Sequence, residues 1–472
     1  MVNGMDLRAS SLVELADRLR GEKLSPVDLM EATLARIDAT RSTLNAVTTL
    51  RDRADLLADA TAAAGRIARG EARPLEGIPL GVKDLEDVAG LVTSQGSVPF
   101  RDQVAKRDSV QVARLKAAGA IVVGKTNAPE FGFTAITKNL IHGATRSPWN
   151  LERTPGGSSG GSAAALTGSV LPLVTASDGG GSIRIPASFT GAFGLKTSFG
   201  RIPFGPSEHW GYGDTAVYGP LTKTVEDAAL FLDQVVGPSP HDPNSLPHPG
   251  FSYLEAVRRP LPGKLRIGFS PDLGYAVVQS DVAAAVETAA RVFETLGHRV
   301  EPVRGGPPMI GREWGILGSF ELAAQLHHLL PAHEPDFGRA FLESVKLGWK
   351  MTPERWGQAA RLRAELNDWC AQTFERFDLL ITPTVPYDPP PARGPFPART
   401  EGREQIALSV ASFTIPFNLS WHPAATVRAG RSRAGLPIGM QLVGPRHRDD
   451  LVLGAARAFE RQCPWHPDWP PL

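Results

Sequence analysis

Three segments of the chain hold residue types that together support acyl transfer. Gly81-Val82-Lys83-Asp84 places a lysine just after an apolar run. Residues 155–162 read PGGSSGGS, and residues 177–186 read SDGGGSIRIP. Glycine lets the backbone take positive φ and approach a ligand closely. Ser182, at the end of Asp178-Gly179-Gly180-Gly181, is therefore surrounded by accessible N–H groups. Such groups can stabilise the oxyanion of a tetrahedral intermediate. A serine nucleophile also needs a base. Histidine is the usual one, and 11 are present. None stands in a glycine-rich or strand-end context beside another reactive residue; His422, after Leu419-Ser420-Trp421, comes nearest. A lysine serves if it is neutral. Lowering its ordinary value of about 10.4 by roughly 3 units costs about 4 kcal/mol, so it needs hydroxyl partners in a dry pocket. Ser158 supplies one: it accepts the proton of Ser182 while passing its own to Lys83.

These residues need a scaffold that buries them. The first 70 residues look helical. Ser25 before Pro26 is an N-cap followed by proline at the first helical position. Val27, Met30, Leu34 and Ile37 then form one apolar stripe. From residue 75, short apolar runs (78–84, 120–126, 170–177) alternate with helical patterns such as 112–119. That alternation predicts an α/β layered fold with a largely buried sheet. Residues 224–236 form a capped helix. Residues 237–263 are proline-rich, lack periodicity and read as a surface excursion. Strands are expected at 264–271, 378–386 and 435–444, helices at 281–296 and 449–462, and a mostly helical, aromatic-rich stretch at 312–370. With no repeat and no linker, one domain over 1–472 is expected: N-terminal helices (1–70), a core with the lysine and serine motifs (75–235), a helical elaboration (237–375) and a return to the sheet (376–472).

The totals exclude several classes. Fifty Lys and Arg balance 49 Asp and Glu in 472 residues, so there is no electrostatic footprint for nucleic acid. The two cysteines, Cys370 and Cys463, are far apart and make no disulfide framework. No apolar stretch has signal-peptide or membrane-spanning length. A cytoplasmic protein is expected, with no metal, since no ligand spacing appears.

Two motifs are decoys. Residues 119–126 (GAIVVGKT) fit the P-loop pattern, but Ala120 to Val123 is itself strand-like and Pro129 falls where a phosphate-binding helix should run. Residues 157–161 fit the G-x-S-x-G elbow of α/β-hydrolases. His422 and His447 lie downstream, yet no acid stands in a matching context, and DGGGSIR is left unexplained.

The segments GGSSGGS (156–162) and DGGGSIRIP (178–186), with Lys83 at fitting spacing, resemble the amidase signature family. Further blocks are similar: GKTNAPEF at 124–131, FGLKTSFGRIP at 193–203, GPLTKTVEDAA at 219–229 and FNLSWHPA at 417–424. The resemblance implies an α/β/α sandwich around a large mixed sheet. It implies Ser182 as the acyl-enzyme nucleophile, Ser158 as the intermediate serine on a cis peptide bond, and Lys83 as the base. The oxyanion hole would be the backbone of Gly179, Gly180, Gly181 and Ser182. Ser159, Ser177, Asp178 and Arg184 would hold this loop; Arg184, between two isoleucines, has the setting of a buried residue. Phe131, Gly132 and Phe133 would lie near the substrate, although core packing accounts for the two rings equally well. Trp210, Tyr212 and the loop 386–400 are further candidates for the pocket wall. The implied reaction is hydrolysis of an amide C–N bond in a small apolar aryl or alkyl amide, with no cofactor. A carbamate or ester would use the same machinery. A glutamine-hydrolysing amidotransferase subunit is the other alternative, but such subunits usually carry Gln where Ile185 stands. The expected partner is the small-molecule substrate, with neither nucleic acid nor membrane; a homodimer is compatible with this reading.

Overall fold

The computed structural model describes residues 8–206, 213–261, 263–466 and 468–470. Trp210 and Tyr212 lie outside the described residues. The second N-terminal helix forms where the Ser25–Pro26 cap predicts, and a first helix precedes it. Ser11 and Glu14 close a capping box on Leu12–Arg20, and Ser25 caps Pro26–Leu44. Met30, Leu34 and Ile37 are buried on the second helix, while Val27 is half-buried. The all-helical expectation for this region fails at one place: Val47–Leu50 is a strand, paired antiparallel with Ile121–Thr126. Sheet pairing overrides local pattern there, because the strand caps the edge of a buried ladder.

Two sheets carry the chemistry. A four-stranded sheet has the order Val47–Leu50, Ile121–Thr126, Pro79–Lys83, Leu173–Val174. A seven-stranded mixed sheet has the order Leu221–Thr222, Phe193–Lys196, Ala424–Arg431, Pro437–Val443, Leu379–Pro383, Arg266–Phe269, Arg299–Pro302. Arg266–Phe269 runs parallel to both its neighbours, and the other pairings are antiparallel.

Alternation along Pro437–Val443 assigns the two faces, since successive side chains point to opposite sides. Ile438, Met440 and Leu442 join the largest apolar cluster with Val282, Val286 and Phe293 of helix Ser280–Thr295. Gly439 and Gln441 face the other way, toward Ser188 and Arg184 of helix Arg184–Thr190. Helices thus cover both faces in an α/β/α arrangement. The largest cluster runs from Leu12 to Trp469, so both ends of the described chain pack into it.

The proline-rich stretch 237–263 departs from the expected plain excursion. It contains helix Tyr253–Arg258, whose Tyr253 and Val257 are buried in that cluster. The stretch 312–370 is helical as expected, with Gly311–Leu326, Leu330–His333, Arg339–Gly348 and the first part of Pro353–Arg376. The GKT decoy is a buried strand, Ile121–Thr126, and Lys125 points inward to Thr93 and the Glu86 carbonyl. Among the described residues, no helix is long and apolar enough to cross a membrane.

Candidate active site

Lys83 ends the fully buried strand Pro79–Lys83. Its N–H donates to Thr175 Oγ1 at 3.0 Å, which ties the strand end to the neighbouring segment. The side chain is 1% exposed. Nζ lies 2.9 Å from Ser158 Oγ, 2.9 Å from Ser177 Oγ and 3.4 Å from the Ser177 carbonyl. Burial pushes this amine down to about 7, against the opposing pull of the Asp178 and Glu86 carboxylates. An amine tuned to neutral pH can accept a proton there.

A second lysine is tuned alike. Burial, helped by Arg184, also brings Lys196 to about 7. Its Nζ donates to the Thr197 carbonyl at 2.7 Å, and Lys196 does not line the cavity described below. Geometry, not pKa, separates the two.

The Gly157–Ser158 peptide is cis, and helix Gly160–Thr167, built largely of small residues, begins after Ser159. Ser158 is buried, whereas Ser182 is half-buried. Ser159 N–H donates to the Ser182 carbonyl at 3.2 Å, and Ser159 Oγ donates to the Ser177 carbonyl at 3.3 Å. Ser158, Ser177, Gly179, Gly180 and Ser182 all line one cavity of about 70 Å³. Among the described residues, no hydrogen bond joins the Ser158 and Ser182 hydroxyls.

Asp178 organises the glycine loop. Its Oδ1 accepts the Gly181 N–H at 2.7 Å, and its Oδ2 accepts the Ile183 N–H at 3.1 Å. Arg184 pairs with it at 2.9 Å, both side chains fully buried. Burial alone would raise the Asp178 carboxyl, but the Arg184 guanidinium outweighs it and holds the group well below its ordinary range. Arg184 also donates to the Thr414 carbonyl, Gln441 and Asn418.

The Gly181 N–H is thereby spent on Asp178, which leaves the N–H groups of Gly179, Gly180 and Ser182 without a protein partner among the described residues. The carbonyls around them are held: Gly179 accepts from Trp314 Nε1 at 2.9 Å and Gly180 from Thr414 Oγ1 at 2.6 Å. Only glycine fits at two of these positions. Gly181 sits at φ +135°, and a Cβ on Gly180 would meet the Trp314 ring at 2.5 Å.

Phe131 and Gly132 line the cavity. Phe133 lines a neighbouring groove instead, with Arg339, Phe341 and Arg393. The Phe131 ring stacks on Phe341, with centroids 5.2 Å apart, and forms the partition between the two. Tyr387, from the loop 386–400, is buried in a core cluster with its hydroxyl 3.0 Å from Ser409 Oγ, and does not reach the cavity. His422 is buried against Phe374, and burial pushes it down to about 3. It is held by Ser420 and lies off the cavity lining.

Sequence reasoning missed much of the wall. Leu85, Gln95, Phe204, Ala216, Tyr218, Trp314, Leu322 and Gln325 complete it. It also missed Thr414 and Asn418, which brace the loop; the FNLSWHPA block contains Asn418 but gives no hint of its partner.

Comparison with known proteins shows the family. The Amidase family model matches residues 28–453. An acylamidase of Rhodococcus erythropolis is 35% identical, with 96% of each chain covered. A glutamyl-tRNA(Gln) amidotransferase subunit from Geotalea daltonii is 34% identical, covering 98% of this chain and 99% of that one. The crystal structure of a bacterial aryl acylamidase superposes with a TM-score of 0.90 at 31% identity, over 97% of each chain. Since these matches run nearly end to end, the chain belongs to the amidase signature family and is an enzyme that hydrolyses amide C–N bonds.

Proposed function

We propose that this amidase cleaves small, neutral, apolar aryl or alkyl amides through an acyl-enzyme on Ser182. The observation that carries the reading is the 2.9 Å contact between Lys83 Nζ and Ser158 Oγ, behind a cavity that Ser182 also lines. Lys83 takes the Ser158 proton as Ser158 takes that of Ser182. The freed alkoxide attacks the substrate carbonyl, and the N–H groups of Gly179, Gly180 and Ser182 are the available donors to the oxyanion. The proton returns through Ser158 to the leaving nitrogen as the C–N bond breaks. Water then hydrolyses the ester by the same relay. The link between the two serines forms in the substrate complex; catalytic hydrogen bonds commonly tighten there. The apolar wall, with Phe131, Phe204, Trp314 and Leu322, supports an apolar substrate and fits the acylamidase relatives. A carbamate or ester fits the same relay.

A second reading is a glutamine-hydrolysing amidotransferase subunit, because such proteins align along the whole chain. Ile185 weighs against it: the side chain is buried in an apolar cluster and offers no hydrogen bond to a polar substrate.

The test is intact-protein mass after treatment with a fluorophosphonate, on wild type and Ser182→Ala, with a panel of aryl-amide, alkyl-amide and carbamate chromogens. One adduct, absent in Ser182→Ala, is expected. An adduct that persists in Ser182→Ala removes Ser182 as the nucleophile.

A further inference from the structure

Helix Gly311–Leu326 presents one face to the cavity. Trp314, Leu322 and Gln325 line it, at spacings that share a helical face. Trp314 and Leu322 offer rings and methyls. Gln325 is different: its Oε1 and its Nε2 are both buried, and neither has a hydrogen-bond partner among the described residues. Glu321, one turn earlier, leaves its own Oε2 without a partner among the described residues and does not pair with this amide.

A buried amide without partners costs about 1–3 kcal/mol for each group left unmade. Evolved cores avoid that cost by pairing or replacing such a group. Because both ends of the amide are unpaired, its capacity does not depend on which end is oxygen. It offers one acceptor and two donors in a plane. The described lining residues include no charged side chain. A charged ligand group would enter unpaired and pay heavily. The complement of Gln325 is therefore a neutral group that presents a carbonyl and an N–H side by side.

We propose that Gln325 is a specificity-determining residue that binds a neutral carboxamide- or carbamate-type group on the non-reacting part of the substrate. This rests on the acyl-enzyme reading above, since it places that group in the cavity lined by Ser182. The preferred substrates are then apolar amides bearing a second, uncleaved amide-like function.

The test compares acetanilides carrying a ring carboxamide, at the meta and para positions, with their isopropyl isosteres, and also phenylacetanilides carrying the same pair of groups on the acyl ring. Wild type and Gln325→Leu are assayed, with fluorophosphonate labelling of Ser182 as a check on the fold and the nucleophile. The expected result is a carboxamide preference in kcat/KM at one or more positions, which falls about 10- to 100-fold in Gln325→Leu. The isopropyl compound should gain in that variant, because the apolar wall no longer strands an amide. Normal labelling with selectivity that shifts less than two-fold at every position overturns this inference alone. Absence of labelling in wild type overturns the acyl-enzyme reading and this inference with it.

Discussion

The indole N–H of Trp314 donates to the carbonyl of Gly179 at 2.9 Å. In a trans peptide the C=O and the following N–H point in opposite directions. Holding the Gly179 carbonyl therefore aims the Gly180 N–H away from Trp314. A residue in the helical elaboration thus orients a donor in the glycine loop, far away in sequence. Trp314→Phe keeps an aromatic ring at this position but removes the indole N–H together with the five-membered ring. We expect kcat to fall about 5- to 50-fold with a smaller change in KM, because a misaimed oxyanion donor acts on the transition state. Steady-state kinetics on one anilide decide this; a change confined to KM would assign Trp314 to substrate binding alone.

Under the proposed relay, Lys83 governs the pH profile. With its amine at about 7, kcat/KM should rise from acid through a midpoint near that value, as the free enzyme loses the proton. Lys196 lies in the same range but off the cavity, so Lys196→Met should leave the midpoint in place. A midpoint that moves with Lys196 would reassign the base.

The same residue limits stability. Burial depresses Lys83, so between about pH 7 and the ordinary value the unfolded chain holds a proton that the folded chain has lost. Stability therefore rises with pH across that window, and the burial penalty is full at and below its acid end. Lys83→Met should be inactive yet more stable, by on the order of 2 kcal/mol at pH 6.5, with the gain shrinking toward pH 10. Urea melts at the two pH values measure the difference. A gain that grows with pH would contradict the sign.

The Asp178–Arg184 pair is fully buried. Asp178→Asn leaves the guanidinium without its counter-charge and should cost about 3–5 kcal/mol. Asn418→Ala removes donors to Asp178 and an acceptor for Arg184. It should cost less, about 1–3 kcal/mol, because the ion pair survives. Thermal melts with matched activity assays would rank the two; an equal or reversed order would place the main support of the loop in Asn418.

The cavity is small, about 70 Å³, and Leu322 is part of its wall. Leu322→Ala should extend turnover to anilides with longer or branched acyl groups by about 10-fold in kcat/KM. It should also lower stability by about 2–5 kcal/mol. An unchanged acyl-length profile would show that Leu322 contacts the amine side or neither.

The local pieces of the candidate site were legible because they are local. Lys83, Ser158, Ser182 and the glycines around them lie in two short motifs and one strand end, where residue type states what the backbone can do. Caps at Ser25 and Thr224, and the alternation of short apolar runs with helices, likewise follow from near-neighbour chemistry. What depends on distant segments was not legible. The strand Val47–Leu50 exists because Ile121–Thr126 offers it a ladder. The wall residues Trp314, Leu322 and Gln325 have no motif; only packing brings their helix onto the glycine loop. Phe131 and Phe133 look equivalent in Glu-Phe-Gly-Phe, yet the turn sends them to different cavities. The Gly181 N–H looked as available as its neighbours until Asp178 took it. Lys83 and Lys196 are tuned alike by burial, and what distinguishes Lys83 as the proposed base is the Ser158 hydroxyl 2.9 Å away. Burial and distance are properties of the whole fold, so tertiary structure alone decides which of the residues able to do this chemistry are placed to do it.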